Sequence, residues 1–184
     1  MEATPRGRIG RIAELAYFAG EYAIMRFAPR DKPGRVLGAL FRMPLLQQRL
    51  GLDKRLSETV LFLETTGRKT GLTRTTPLGF VHVPDTDTYF VSAGWYGKTD
   101  WYRNLRANPR VRVHHGRRTF ACEARPISDD EAVPVIRRTV DRNPFALRLW
   151  ERWTDQPLDG SDDSLRVVAR AFPTVALQAP SGTP

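Results

Sequence analysis

The chain has 184 residues, and its 29 Lys and Arg against 20 Asp and Glu give a formal net charge of +9. That length bounds it to one main domain with an appendage. A hydrophobic content of 41% with 10% aromatics excludes a disordered chain, and the single cysteine, Cys122, excludes an intrachain disulfide framework and a cysteine-ligated zinc site. The charge excess implies an anionic partner, with polyanions, anionic cofactors and acidic membranes as the classes.

Charged residues interrupt every apolar stretch before the roughly 18 positions that a spanning helix needs. Glu14 and Glu21 fall where a signal peptide would be apolar, so the reading is a chain of the reducing cytoplasm. Apolar residues from Ile9 to Phe27 recur at helical spacing, ended by Pro29 and Pro33, and a second helical stretch runs from Val36 to Leu52 with a break at Pro44. Both carry a basic border, so residues 1–56 read as an amphipathic helical extension, and residues 57–180 as the main domain.

Val60 to Leu63 is apolar on both faces, as an interior strand would be. A polar loop with Gly67 and Gly71 follows, then one long strand from Arg74 to Val83. Tyr89 to Ala93 is the third strand. Gly94 and Gly97 loosen the chain before a short helix over 100–107, with Thr99 as its cap and Asn108–Pro109 as its stop. Val111 and Val113 mark a fourth strand, and Phe120, Cys122 and Ala124 the inward face of a fifth. Ser128 with Glu131 forms a capping box and Asn143–Pro144 opens a further helix, so two helices cover 128–153. A polar loop, a helix over 163–171 and a strand over 174–178 complete the chain. Strands joined by turns, with one helix between the third and fourth, predict an α+β domain built round a small barrel of mostly antiparallel strands. No G-x-G-x-x-G follows any strand, which disfavours a Rossmann sheet.

The densest chemistry lies between Thr65 and Pro77. Arg68, Lys69 and Thr70 sit between two glycines with Arg74 on the next strand, a spacing that is not a Walker A loop. Pattern alone leaves two readings open: a solvated hairpin tip, or an anion site made of cations and exposed amides. Trp101, Asn104, Leu105 and Asn108 share one helix face, either as core residues with a tied loop or as a platform for a planar ligand. His114 and His115 adjoin in a strand and so point to opposite faces; with His82 distant and no HExxH, no metal site is expected. Cys122 reads as a buried small hydrophobe. Nucleic acid is not an expected partner, since neither a recognisable fold nor aromatic interleaving accompanies the basic residues.

Leu63, Thr65, Thr66, Gly67, Arg68, Lys69, Thr70, Gly71, Arg74, Pro77 and Leu78, followed in order by Trp101, Asn104, Leu105, Ala107, Asn108 and Pro109, resemble the core motifs of the deazaflavin-dependent nitroreductase family. The resemblance implies an FMN-binding-like split β-barrel and reduced coenzyme F420 in a groove. It implies that Arg68, Lys69, Thr70 and Arg74 hold the anionic tail and that Pro77 and Leu78 shape the groove. Ser92 and Ala93 would approach the ring by backbone, and Trp101 and Asn104 would fix the loop and helix against the cofactor. Two departures stand out. Gly94–Gly97 replaces a segment in which many relatives carry lysine, a role left to Lys98, and Asp100 stands where many carry proline.

The implied activity is hydride transfer to a quinone, nitroaromatic or other activated small-molecule acceptor. Trp95 and Tyr96 would form its wall, and Tyr96, Tyr102 or solvent would supply a proton. The alternatives are FMN in the same barrel, or a non-catalytic protein that binds a cofactor or sits on an anionic surface. The basic amphipathic helices suggest contact with the inner face of the cell membrane, and a homodimer that completes the pocket is left open.

Overall fold

Strand β1 (Val60–Thr66) sits inside a sheet and is buried over its first four residues, which explains its apolar run. The computed structural model describes residues 18–20, 22–29 and 60–180. Residues 18–20 and 22–25 are helical; the rest of the predicted N-terminal helices, and the boundary at residue 56, lie outside the described residues. After β1 come β2 (Thr73–Gly79), β3 (Val81–Val83), β4 (Thr88–Ser92), α1 (Asp100–Ala107), β5 (Arg110–His115), β6 (Arg118–Glu123), β7 (Arg125–Pro126), α2 (Asp129–Arg142), α3 (Ala146–Thr154), α4 (Asp162–Ala171) and β8 (Thr174–Gln178).

The class is α+β, as expected, with the strands in two four-stranded antiparallel sheets ordered β2-β1-β5-β6 and β3-β4-β8-β7. The single strand expected over 74–83 is a correction. It divides at Phe80, and its two parts belong to different sheets. Alternation is similar on either side of such a corner, so periodicity does not reveal it.

Inward-facing Leu61 and Leu63 of the first sheet meet Tyr89, Val91, Val175 and Leu177 of the second, with Trp101, Tyr102 and Leu105 of α1 in the same core. A second core lies among α2, α3 and α4 and includes Trp95, Trp153, Phe172 and, from the N-terminal segment, Ala28. The capping box at Ser128 and Glu131 is present. Asn143 instead ends α2; its side chain accepts from the Phe145 N–H at 2.9 Å, and α3 starts at Ala146.

His114 and His115 diverge as the strand period requires: His114 meets Glu64 at 3.0 Å, whereas the His115 ring pairs with the Tyr89 hydroxyl at 3.1 Å. Burial pushes the Cys122 thiol up to about 11, so it is a poor nucleophile at neutral pH. Among the described residues no group of three His, Cys, Asp or Glu is placed to hold a metal ion, and no helix is long and apolar enough to cross a membrane.

At one end of the sheets Arg118 of β6 donates to both oxygens of Asp87 in the β3–β4 turn, at 2.8 and 2.6 Å, with His82 at 3.2 Å from the same carboxylate. The Arg118 hydrogen bonds, opposed by some burial and helped by His82, hold the Asp87 carboxyl below the usual range. Arg118→Met is expected to cost about 1 kcal/mol, a discount for partial exposure included, or about 2–4 °C in Tm. Because the folded-state pKa of Asp87 is depressed, its contribution is complete above the unfolded value of about 3.9 and is lost as pH falls through the folded value. Thermal melts of both proteins from pH 7 to pH 2 should therefore converge at the acidic end.

Candidate functional site

The β1–β2 hairpin is a closed turn. Gly67 N–H donates to the Leu72 carbonyl at 2.8 Å, and the Thr70 and Gly71 N–H groups return to the Gly67 carbonyl at 3.1 and 2.8 Å. Gly71 has φ +68°, and a Cβ on Gly67 would lie 3.1 Å from the Leu72 carbonyl oxygen, so both positions demand glycine. Leu72 N–H donates to the Thr70 hydroxyl at 3.4 Å and Arg68 N–H to Asn104 Oδ1 at 3.2 Å. The amides of Gly67, Arg68, Thr70, Gly71 and Leu72 are thus engaged. This narrows the expectation of exposed amides to the Lys69 N–H.

Arg68 is engaged as well. Its guanidinium donates to Asn104 Oδ1 at 3.0 Å and pairs with Asp100 at 2.9 Å. Asn104, 4% exposed, also donates through Nδ2 to the Thr65 hydroxyl at 3.4 Å, which ties hairpin, strand and helix at one point. Asp100, absent from the predicted site, supplies the second anchor for Arg68. Lys69, Arg74 and Lys98 are exposed and form no ion pair among the described residues; Lys98 lies 5.9 Å from the Tyr96 ring centroid. Arg125, Arg137, Arg166 and Arg170, by contrast, pair with carboxylates. Thr99 occupies the N-cap position of α1 without the expected capping bond, and its buried hydroxyl has no partner.

Pro77 and Leu78 are half-buried on β2. Ser92 is exposed, and its hydroxyl is 2.9 Å from that of Thr174. Ala93 is fully buried and its N–H donates to the Pro173 carbonyl at 2.8 Å, so that N–H is not open to a ligand. Trp101 belongs to the core.

Trp95, Tyr96 and Gly97 all have positive φ, at 52°, 54° and 70°. Two aromatic residues in the left-handed region are strained, and the surroundings hold them there. The Trp95 indole N–H donates to the Pro29 carbonyl at 2.8 Å, the Tyr96 hydroxyl donates to the Trp153 carbonyl, and Tyr96 stacks on Phe172 with ring centroids 6.0 Å apart. Tyr96 therefore has its hydroxyl proton committed, and Tyr102 packs into the core beside Gly97.

Two adjoining cavities lie between the second sheet and the C-terminal helices. One of about 200 Å3 is walled by Met25, Trp95, Trp150, Trp153 and Phe172; the other, of about 270 Å3, by Gly79, Phe80, Phe90, Thr139 and Arg142; both reach Ser92, Ile136, Leu149 and Trp150. Of the expected acceptor wall, Trp95 lines the smaller cavity and Tyr96 lines neither, and the helical side of the cavities was not anticipated. The signal available was Leu149, Trp150 and Trp153 in one short amphipathic helix.

A split of labour emerges, with cations at the hairpin and an aromatic cavity beyond β2, as in a reductase that binds an anionic redox cofactor and a flat acceptor. The profile of the F420H(2)-dependent quinone reductase family matches residues 45–159, which take in the hairpin, α1, α2 and α3, and the chain belongs to that family. An F420H(2)-dependent quinone reductase of Mycobacterium tuberculosis H37Rv is 30% identical over 120 residues, 64% of this chain and 71% of that protein. A Mycobacterium bovis relative matches to the same extent. Among solved structures, an F420-H2 dependent reductase, FDR-A, aligns at 23% identity and a TM-score of 0.49 over 65% of this chain and 94% of that one.

Asn104→Leu should take the acceptor from the Arg68 amide and the donor from the Thr65 hydroxyl, which keeps only the Arg74 carbonyl at 3.5 Å, at a cost of about 2–3 kcal/mol, or about 4–12 °C in Tm. Asp100→Asn, at a carboxylate whose side chain is 85% exposed, should cost under about 1 kcal/mol. Calorimetry of the two variants would contradict this ranking if Asp100→Asn proved the more damaging.

Proposed function

We propose that this protein binds coenzyme F420 along the hairpin and the start of α1 and reduces a quinone-type acceptor in the cavity under the C-terminal helices. The observation that carries the reading is that Lys69, Arg74 and Lys98 are exposed and without ion pairs among the described residues, the first two on the hairpin that Asn104 and Asp100 bind to α1 and the third just before that helix. These residues suit a tail of phosphate and carboxylates. Gly94, where a Cβ would meet nothing within 4 Å, leaves room for a flat ring nearby. Pro77 and Leu78 offer that ring an apolar edge, and their strand ends at Gly79, a wall of the larger cavity.

When bound, the reduced deazaflavin supplies a hydride, and the protein contributes binding and orientation. Lys69, Arg74 and Lys98 fix the tail by charge. Arg68 acts through Asn104 and Asp100 to hold the hairpin rather than the ligand. The aromatic side chains of the cavity offer the acceptor a flat apolar wall. With the Tyr96 hydroxyl committed to a carbonyl and Tyr102 in the core, solvent is the assigned source of the acceptor's proton.

Titration with F420 should show tight binding by the wild type and about a hundredfold loss in the Lys69→Glu/Arg74→Glu double variant, as two charge-assisted contacts are worth. FMN should bind more weakly, and oxidation of reduced F420 by menadione should follow. Wild-type affinity in the double variant, or a preference for FMN, would defeat the assignment.

The reading extends to an acidic lipid surface for the N-terminal segment, where Phe27 is 80% and Ile24 42% exposed, with the Arg26 guanidinium 5.8 Å from the Phe27 ring centroid. Flotation with anionic liposomes should recover the wild type and lose the Ile24→Ser/Phe27→Ser variant; equal recovery would remove the lipid surface from the proposal.

A further inference from the structure

The two cavities meet at the end of strand β4. The residues they share are Ser92, Ile136, Leu149 and Trp150, and of these four only Ser92 carries a hydroxyl. Antiparallel pairing sets Ser92 opposite Thr174 of β8 and Phe90 opposite Ala176, while Tyr89 and Val91, which alternate with them, turn into the core between the sheets. The strand period therefore sends the Ser92 side chain to the same face as Phe90, a wall of the larger cavity. Ser92 is exposed whereas Thr174 is only 2% exposed, so the serine of the pair is the one that a ligand reaches.

That hydroxyl is held in place from behind. Ser92 Oγ lies 2.9 Å from Thr174 Oγ1, whose other partner is the Phe172 carbonyl at 3.4 Å. A hydroxyl has one proton and two lone pairs, so Thr174 can donate to Ser92 Oγ and leave the Ser92 proton to turn into the cavity. The contact given up for this is the longer and weaker one. By comparison, the Thr139 hydroxyl donates to the Val135 carbonyl at 3.5 Å and the Asn143 oxygen accepts from the Phe145 N–H, and both residues line the larger cavity only. Room is sufficient: an apolar cavity of about 150 Å3 holds a benzene-sized ring, and the chamber of about 200 Å3 adjoins another of about 270 Å3.

We propose that the Ser92 hydroxyl recognises a carbonyl oxygen of the acceptor, a flat cyclic dicarbonyl of the quinone class that lies against Trp150 where the two cavities adjoin. This rests on the reading of the cavities as the acceptor site. Ser92 stands two residues before Gly94, where a Cβ would meet nothing within 4 Å, so the contact falls beside the space assigned to the cofactor ring. Reduction of a quinone to the hydroquinone adds one hydride, here from reduced F420, and one proton, here from solvent. The incoming electron pair ends on the ring oxygens, and Ser92 keeps its own proton throughout. An O–H donor at such an oxygen orients the quinone and is favoured further as negative charge develops there. Ser92 is therefore a specificity-determining residue, selecting a carbonyl acceptor over a hydrocarbon of the same shape.

The test uses cofactor-free, full-length protein with 15N-labelled indoles, and Ser92→Ala, which removes only the hydroxyl. The Trp150 indole resonance, assigned as the one missing from a Trp150→Phe spectrum, reports a ligand at the junction of the cavities. Two probes are compared: menadione, and 2-methylnaphthalene, which has a similar fused ring system and no oxygen. Both should shift the Trp150 resonance of the wild type. The menadione Kd should rise about fivefold in Ser92→Ala, the worth of one neutral hydrogen bond, while 2-methylnaphthalene binds both proteins alike. Equal menadione affinity in the two proteins would overturn the proposal, and so would an equal loss for both probes, which would mark Ser92 as a packing residue. If menadione leaves the wild-type Trp150 resonance unmoved, the acceptor-site reading fails and this proposal with it. Binding of menadione that depends on Ser92, in a protein that does not oxidise reduced F420 with menadione, would overturn the redox reading alone and support this assignment.

Discussion

The side-chain amide of Asn104 is the point on which the cationic end of the molecule depends. It is 4% exposed, and a buried amide must satisfy both its carbonyl and its N–H groups. Its oxygen takes the Arg68 backbone and guanidinium, and its nitrogen reaches the Thr65 hydroxyl. Those bonds set the hairpin against α1 in one orientation, so Lys69 and Arg74 project from a fixed base. Asp100 adds a second hold on Arg68, so a cation and a carboxylate serve to brace the hairpin. Most of the hairpin's amides are engaged in its own closure or by Asn104, while Lys69 and Arg74 stay exposed without ion pairs among the described residues.

A comparable trade appears at the aromatic end. Three successive left-handed residues cost conformational energy, and carbonyls of Pro29 and Trp153 together with the Phe172 ring hold the turn in that shape. The N-terminal segment is therefore part of the cavity rather than a separate appendage in this region: Met25 lines it, Pro29 latches Trp95, and Tyr22 stacks on Phe145 of the helical layer at 5.5 Å. The proposed cofactor end and the proposed acceptor end are joined through the short run from Trp95 to Asp100.

The net charge of +9 takes on meaning once its distribution is known. Arginines on β6, α2 and α4 pair with Asp87, Asp162, Asp130 and Asp129, and such pairs contribute modestly to stability. The cations near α1 are of another kind: Asp100 is engaged by Arg68, and Lys69, Arg74 and Lys98 form no ion pair among the described residues. Long-range attraction of anions follows from the total, whereas the proposed cofactor contacts rest on these few positions.

Much of this was legible in residue order because the relevant constraints are local. The apolar run at Val60–Leu63, the capping box at Ser128 and Glu131, the paired glycines of the hairpin and the spacing of Trp101, Asn104 and Leu105 each involve neighbours within one turn or one strand. The hairpin and helix motifs together were enough to indicate the family. What residue order left undecided was which partners meet. The corner at Phe80, the commitment of Arg68 to Asn104 and Asp100, the burial of the Ala93 amide and the convergence of Trp95, Trp153 and Phe172 join residues distant in sequence, and no periodicity encodes such meetings. Short-range stereochemistry determined the elements; only the packing of sheets against helices decided which charges remain available, because solvent exclusion and hydrogen-bond satisfaction are properties of the assembled interior.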